Sequence, residues 1–473
     1  MDRGMKWILC MLAMVGCGVA SGVERNLLVI STDEHNFRTL GCYRELMAPE
    51  QAFVWGEGVA VETPHIDWIG KNGAVCTSFY ATTPVCSPSR ASLVSGRYPQ
   101  NTDVVTNNIR MRGDVVTFAE LLRRKGYATG YFGKWHLEGA FKPGWAPRRK
   151  FGFEDNRYMF NRGHWKKFEE AEGGPRVAAR KGGKPTYGVD GADEESFATD
   201  WLCDRAMEFV DGAGEKPWCA MISLPDPHGP DTVRAPYDTM FADLKGTAPR
   251  TFERSGPVPV WGEGGARFQN MANYLGMVKC IDDNVGEILA KLRASGRLER
   301  TVIVFTSDHG DLRGEHGRQN KGVPYEGSAR VPFLVYCEGV VKAGTVVGEA
   351  LGTVDFLPTV MGLMGNEVPT EVKADGRDAS ALLRGEEAGW EDVAFLRGTG
   401  EKNSWLAAVT DRYKLVVAPK GEPWLFDLEE DPDELKNYWG KRDVGVGLLK
   451  KLRGYAERFG DDRLGMVEKV LGE

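Results

Sequence analysis

Asn26-Leu-Leu-Val-Ile-Ser-Thr32, with Asp33 directly after it, is the stretch that decides the fold of this chain. An unbroken apolar and β-branched run of this length predicts a strand buried on both faces, as in a parallel sheet. Similar runs occupy Trp218–Leu224, Thr301–Ser307 and Pro332–Cys337. Helical patterns lie between them, so the sequence predicts an α/β fold whose mostly parallel central sheet carries helices on both faces.

Two of the intervening segments show the apolar spacing of amphipathic helices. The first is Ala272–Leu292, which stops before Gly296, and the second is Thr117–Lys125, which Gly126 closes. Glycine directly after a helix favours its termination. Both are expected to be packing helices that carry no chemistry.

The pattern changes after about Gly365. Ser404–Val409, Tyr413–Val417 and Trp424–Leu428 have the length and alternation of short antiparallel strands, and Val444–Phe459 predicts a closing helix. We therefore expect a catalytic domain over residues 24–365 and a smaller C-terminal α+β subdomain over 366–473. Residues 142–193 and 236–265 lack a clean period and are expected to be long loops, which are often functional.

Composition narrows the class of protein. A hydrophobic content of 42% and a charged content of 27% over 473 residues are those of an ordinary globular protein. The formal net charge of -7 and the absence of a basic stripe argue against nucleic-acid binding.

The first twenty residues have the pattern of a signal peptide. Two cations precede an uncharged run from Trp7 to Ala20, which ends in the small residues Gly18-Val-Ala20. The apolar run is too short to span a bilayer comfortably, so no transmembrane span is expected in the mature chain. We expect export to the periplasm or the medium. Met14-Val-Gly-Cys17 leaves open a lipid anchor on Cys17, because it is an imperfect lipoprotein box.

Polar residues follow three of the predicted strands. They are Asp33, the turn Pro225-Asp-Pro-His228, and Asp308. In a parallel sheet the carboxyl ends of the strands meet at one edge, where ligands bind in the crevice. The sequence therefore predicts that acids and histidines converge at this edge.

Cys86-Ser-Pro-Ser-Arg90 resembles the C-x-P-x-R motif of the formylglycine sulfatases, and Ser92–Gly96 continues the resemblance except at Ser95. Gly126–His136 is similar to the second signature of that family, which ends in Gly-Lys-x-His, with the larger Phe132 as a departure.

Further matches follow in the order of the family, from Asn26 to about Gly440. Thr32-Asp-Glu-His35, Asp308-His-Gly310 and Lys321–Gly327 resemble its metal-binding and lysine-bearing segments. The chain is thus identified as a member of the sulfatases of the alkaline phosphatase superfamily. This resemblance implies an alkaline-phosphatase-like α/β/α sandwich.

The resemblance also implies a cofactor set. A formylglycine-generating maturation enzyme would oxidise Cys86 to formylglycine, whose hydrate attacks sulfur. A calcium ion would be held by Asp33, residue 86, Asp308 and His309, with the His309 ring either ligating or lying beside the ion. Glu34 is left outside the ligand set. If Cys86 is converted, six cysteines remain after the leader, which permits disulfides without demonstrating any.

By the same resemblance, the catalytic residues have separate roles. Arg90 would hold the formylglycine hydrate, and Lys134 and Lys321 would bind sulfate oxygens. His228 would protonate the departing alcohol, and His136 would take a proton so that sulfate leaves and the aldehyde returns.

The expected reaction is hydrolysis of a sulfate monoester, and the expected substrate is a sulfated carbohydrate or a small-molecule sulfate ester. The alternative is a formylglycine-dependent phosphonate or phosphodiester hydrolase, which shares the nucleophile and metal site. A two-zinc phosphodiesterase fits less well, because that class has Asp-x-x-Gly-His where this chain has Asp226-Pro-His228. A non-catalytic protein that binds sulfated glycans would retain an unmodified thiol at Cys86. His316 is either a partner of His309 or a loop histidine.

Overall fold

The central sheet has eight strands in the computed structural model, which describes residues 24–253, 256–265, 267–399 and 404–472. The predicted leader lies outside these residues. The strands are β1 Asn26–Asp33, β2 Ala74–Cys76, β3 Ala128–Lys134, β4 Met159–Phe160, β5 Trp218–Pro227, β6 Thr301–Ser307, β7 Phe333–Tyr336 and β8 Thr345–Val347.

The spatial order of this sheet is β8-β2-β7-β6-β1-β5-β3-β4. β7 pairs antiparallel with both of its neighbours, and the other pairings are parallel. β1 lies between β5 and β6, with Leu27 opposite Cys219 on one side and Val302 on the other. The expected mostly parallel α/β fold is confirmed.

Alternate residues of β1 enter different cores. Leu27 and Val29 belong to the apolar cluster on one face of the sheet, and Leu28 and Ile30 belong to the cluster on the opposite face. All four are essentially inaccessible to solvent. Burying a side chain of this size stabilises the fold by about 1.5–3 kcal/mol, so both faces favour β1 at the centre.

Eight longer helices cover the sheets. They are α1 Pro64–Lys71, α2 Cys86–Ser95, α3 Phe118–Arg124, α4 Ala198–Gly212, α5 Ala272–Ala294, α6 Phe356–Leu363, α7 Arg442–Phe459 and α8 Leu464–Leu471. Helices α2, α3 and α6 contribute to the first core, and α1, α4 and α5 contribute to the second. Shorter α-helical turns span Gly41–Arg44, Pro49–Ala52, Tyr237–Met240, Glu326–Ala329 and Ser380–Leu383.

The C-terminal part forms a separate antiparallel sheet in the order β9-β10-β11-β12. Its strands are β9 Ala394–Arg397, β10 Leu406–Val409, β11 Tyr413–Val417 and β12 Trp424–Asp427. One face packs against α7 through Leu406, Leu415 and Leu452. The predicted small C-terminal antiparallel sheet is confirmed, and the domain boundary at residues 365 and 366 stays a prediction.

The segment expected to be a long loop, residues 142–193, contains two short hairpins. Phe168–Ala171 pairs with Gly174–Val177, and Arg180–Lys181 pairs with Lys184–Pro185. A further pair joins Phe79–Tyr80 to Leu351–Gly352.

The seven cysteines in the described part of the chain are buried and free, so none of them forms a disulfide. Within the described ranges, no helix combines the length and the apolar character needed to cross a bilayer.

Candidate active site

The site is organised by the first turn of α2. The helix begins at Cys86, and Pro88 lies in its first turn, where the missing N–H removes no helical hydrogen bond. Arg90 is four residues after Cys86, so both side chains lie on the same face of the helix. Gly96 ends the helix in the left-handed region, at φ 67°. The spacing of the C-x-P-x-R motif therefore places a thiol and a guanidinium side by side.

Four side chains bring possible metal-ligand atoms together. Asp33, Cys86, Asp308 and His309 are all buried, and one ligand atom from each lies within 4.8 Å of the others. Asp33 ends β1 and Asp308 follows β6, which are adjacent parallel strands.

These four residues fit a divalent cation. Oxygen ligands of calcium stand about 2.3–2.6 Å from the ion, so ligands on opposite sides of one ion are about 5 Å apart. Two carboxylates from separate strands also supply the hard oxygen donors that calcium prefers. The set predicted from the sequence is the set that the fold brings together.

Arg90 links the carboxylates of Asp33 and Asp308 to strands β3 and β5. Its Nε donates to Asp308 Oδ2 at 2.8 Å, and its Nη2 lies 3.3 Å from Asp33 Oδ2. Its Nη1 donates to the Lys134 carbonyl at 2.8 Å and to Ser223 Oγ at 2.6 Å. The guanidinium is 2% exposed, so little solvent screens its attraction to the carboxylates.

Lys134, at the end of β3, places an ammonium in the same site. Its Nζ forms a buried ion pair with Asp33 Oδ2 and lies 2.8 Å from His164 Nε2. His164 stacks on His228 with ring centroids 3.5 Å apart. The sequence assigned no role to His164, which comes from the loop over residues 142–193.

A second charged cluster adjoins the first. His228 Nε2 lies 2.9 Å from Glu34 Oε2 and 2.7 Å from Lys321 Nζ. Lys321 Nζ also lies 3.0 Å from Glu34 Oε1. Glu34 thus bridges the predicted acid, His228, and the predicted sulfate-binding Lys321.

His136 lies on the Cys86 side of the site. Ser87 Oγ donates to the His136 carbonyl at 2.8 Å, and His136 Nε2 lies 3.4 Å from Asn108 Oδ1. Burial lowers the pKa of His136 from its ordinary value, although contact with Cys86 opposes this. A neutral ring is the form that can accept a proton.

The cations shape the ionisation of the site. Burial works against the thiolate, but Lys134, Lys321 and His309 hold the pKa of Cys86 well below its ordinary value. Burial likewise opposes the Asp33 carboxylate, but Lys134 and the other neighbouring cations lower its pKa. Burial disfavours a charged His309 ring, but Asp308 and Cys86 raise its pKa to about 9. A cation bound there would have to displace that ring proton.

No sequence pattern pointed to Lys166 as a residue of the site. It is fully buried, its Nζ donates to Asp226 Oδ1 at 2.6 Å, and it donates to the His228 carbonyl at 3.1 Å. Asp226 Oδ2 accepts from Thr199 at 2.7 Å. In the sequence, this group of residues is indicated only by the Asp226-Pro-His228 turn. Its partners Lys166 and Thr199 are distant in sequence.

His316 stacks on Tyr325, with ring centroids 3.6 Å apart, in the 3₁₀ segment Glu315–Gly317. The His309 ring, in turn, contacts the Gly310 carbonyl through Nδ1 at 3.0 Å.

Two known family models match this chain. Residues 25–366 match the family model described as Sulfatase, and residues 314–455 match one described as N-sulphoglucosamine sulphohydrolase, C-terminal. The ulvan-active sulfatase of Formosa agariphila is 27% identical over 422 residues, covering 84% of this chain and 78% of that protein. The N-acetylglucosamine-6-O-sulfatase of Bacteroides thetaiotaomicron is 24% identical, covering 98% and 92%.

The same fold occurs in the crystal structure of the YidJ protein from Bacteroides fragilis. The TM-score is 0.76 at 23% identity, covering 95% of this chain and all of that one. Because the Sulfatase model spans well over half of the sequence, the chain belongs to the sulfatase family and is a sulfuric ester hydrolase.

Proposed function

We propose that this sulfatase hydrolyses a sulfate monoester of a carbohydrate, with formylglycine made from Cys86 as its nucleophile and a calcium ion as its cofactor. One observation carries the proposal. Cys86 lies in one buried cluster with Asp33, Asp308 and His309. Such a cluster pairs an oxidisable side chain with the oxygen ligands of a hard cation.

The cation and the aldehyde hydrate would supply charge neutralisation and a reactive oxygen at residue 86. Asp33, Asp308 and His309 are the residues that would hold the ion. Arg90 fixes both carboxylates through its own bonds, so it positions the ligands rather than the substrate.

Lys134 and Lys321 are the residues that would bind the sulfate group. Both ammonium groups are largely buried and currently paired with carboxylates, Asp33 and Glu34. A fixed cation in a site with little water stabilises the charge that develops in sulfuryl transfer. Neither lysine side chain has to move in from solvent when the substrate binds.

His228 would give a proton to the leaving alcohol. Its Nε2 faces Glu34 and Lys321, and His164 stacks on its ring. General acid catalysis of this kind contributes about 10²–10⁴-fold to the rate. His136, whose side chain contacts Cys86, would take the proton that restores the aldehyde.

The carbohydrate substrate is supported by the names of the relatives. The Formosa protein is an ulvan-active sulfatase, and the Bacteroides protein is an N-acetylglucosamine-6-O-sulfatase. We further propose export to the periplasm or the medium, based on the uncharged run from Trp7 to Ala20. Anchoring through Cys17 is the alternative.

The test is sulfate release by protein produced together with a formylglycine-generating enzyme. We expect turnover of an aryl sulfate and of sulfated sugars, and a loss of at least about 10³-fold in Cys86→Ala, because no nucleophile is left. An aryl phosphonate monoester is assayed in parallel. Faster turnover of the phosphonate than of every sulfate would instead support the phosphonate hydrolase.

A further inference from the structure

We propose that the sugar bound by this enzyme is neutral or carries a free amine, and that chains with further anionic groups near the hydrolysed sulfate are rejected. This inference rests on the proposed carbohydrate sulfatase function. The observation behind it is the charge of the cavity next to His228.

An open cavity of about 830 Å³ adjoins the catalytic cluster, with Glu34 and His228 in its wall. A volume in this range holds one or two sugar rings. Because His228 is the proposed proton donor to the leaving alcohol, the cavity lies where that alcohol departs. We infer that the sugar contacts this wall.

Beyond Glu34 and His228, the charged residues in the described wall are three aspartates and one arginine. They are Asp231, Asp238, Asp311 and Arg313. The remaining polar side chains in the wall are amides. This is a surface that accepts hydrogen bonds from sugar hydroxyls and carries an excess of negative charge.

Arg313 does not offset that charge for a ligand. Its Nη2 donates to Asp231 Oδ2 at 2.8 Å, and its Nη1 lies 3.5 Å from Asp311 Oδ2. It also lies over the Tyr274 ring, 4.4 Å from the centroid, and its side chain is 3% exposed. Its donors are already used by the protein, so an anionic substituent would find no available guanidinium here.

Asp238 is the carboxylate most available to a ligand. It is exposed at the start of the turn Tyr237–Met240 and has no ion pair within the described parts of the chain. A free amine on the sugar would form a charge-assisted hydrogen bond with such a group. A second sulfate or a uronate carboxylate would meet like charge instead.

Three glucosamine O-sulfates test the inference, since they differ only in the nitrogen substituent. The free amine, the N-acetyl and the N-sulfo compounds are cationic, neutral and anionic there. We expect kcat/KM for O-sulfate release from the amine or N-acetyl compound to exceed that from the N-sulfo compound by at least about tenfold, because like charges repel.

Substitutions at Asp238 should move this ratio. Asp238→Asn should bring the three substrates closer together, and Asp238→Lys should favour the N-sulfo compound. Asp243→Asn is the matched control, since Asp243 is exposed on the same segment but lies outside the cavity wall. The control should keep the wild-type ratio.

The outcomes separate the two proposals. Preference for the N-sulfo compound, or an unchanged ratio in both Asp238 variants, overturns the inference but leaves a sulfatase. Turnover of an aryl sulfate without any of the three sugars also overturns it. Failure on every sulfate ester, aryl sulfate included, contradicts the proposed function itself.

Discussion

At the scale of single residues, some site residues lie close to their partners in sequence. Others meet their partners only after distant parts of the chain have folded together. Cys86 and Arg90 can be predicted from one motif, because residues four positions apart on a helix lie side by side. Glu34 and His164 could not be assigned in this way. Their relation to His228 exists only once β1, β5 and the loop over residues 142–193 have folded against each other.

Lys166 gives a prediction about how His228 is positioned. Lys166→Met removes the ammonium that holds Asp226 and the His228 carbonyl. We expect a loss of kcat that is larger for a sugar sulfate, whose alcohol needs a proton, than for a nitrophenyl sulfate, whose phenolate leaves unaided. The variant should also lose about 3–5 kcal/mol of unfolding free energy, because Asp226 stays buried and unpaired.

The neighbouring lysine provides the control. Lys167 donates to two backbone carbonyls at the exposed surface, so Lys167→Met should change neither kcat nor stability appreciably. An equal loss on the two substrates in Lys166→Met would show that Lys166 stabilises the fold without positioning the acid.

At the scale of elements, the buried parallel strands were the most predictable feature. β1, β5 and β6 appear as unbroken apolar runs because both of their faces are covered. β3 lacks an unbroken apolar run, because Ala128–Lys134 contains two glycines and a lysine. Its place beside β5 is set by tertiary pairing rather than by local propensity.

A buried ion cluster joins the C-terminal sheet to the segment that carries Lys321. Lys414 on β11 places its Nζ 2.7 Å from Glu326 Oε1 and 2.7 Å from Glu434 Oε1. It also donates to the Pro324 carbonyl at 2.7 Å, three residues beyond Lys321. The small sheet thereby stabilises the position of the segment that carries Lys321.

Removing the Lys414 ammonium should destabilise the folded protein. Lys414→Met leaves two buried carboxylates with less compensation, so we expect a loss of about 3–5 kcal/mol in denaturant unfolding. Lys420→Met, at an exposed position after the same strand, should change stability by less than about 0.5 kcal/mol. Equal midpoints for the two variants would show that the cluster contributes no net stability.

At the scale of the whole molecule, the candidate metal site brings together parts of the chain that are far apart in sequence. Asp33, residue 86 and Asp308 come from β1, α2 and the end of β6, so an ion held by all three can bind only the folded chain. Calcium should therefore raise the unfolding temperature. At about 100 times its dissociation constant it should add about 2.7 kcal/mol.

Thermal unfolding with calcium and with a chelator measures this effect. Asp308→Asn should abolish the calcium-dependent difference, because it removes one of the two carboxylates. Asp443→Asn, at an exposed position on α7, should retain it. Identical unfolding temperatures of the wild type with calcium and with chelator would argue against the cation.

The proposed mechanism depends on the chemical state of residue 86, which peptide mass spectrometry reports. We predict that active protein from a host with the maturation enzyme contains an aldehyde at residue 86, seen as a peptide that has lost its sulfur and two hydrogens, has gained one oxygen, and reacts with a hydrazide. Fully active protein with an unmodified Cys86 thiol would exclude formylglycine as the nucleophile.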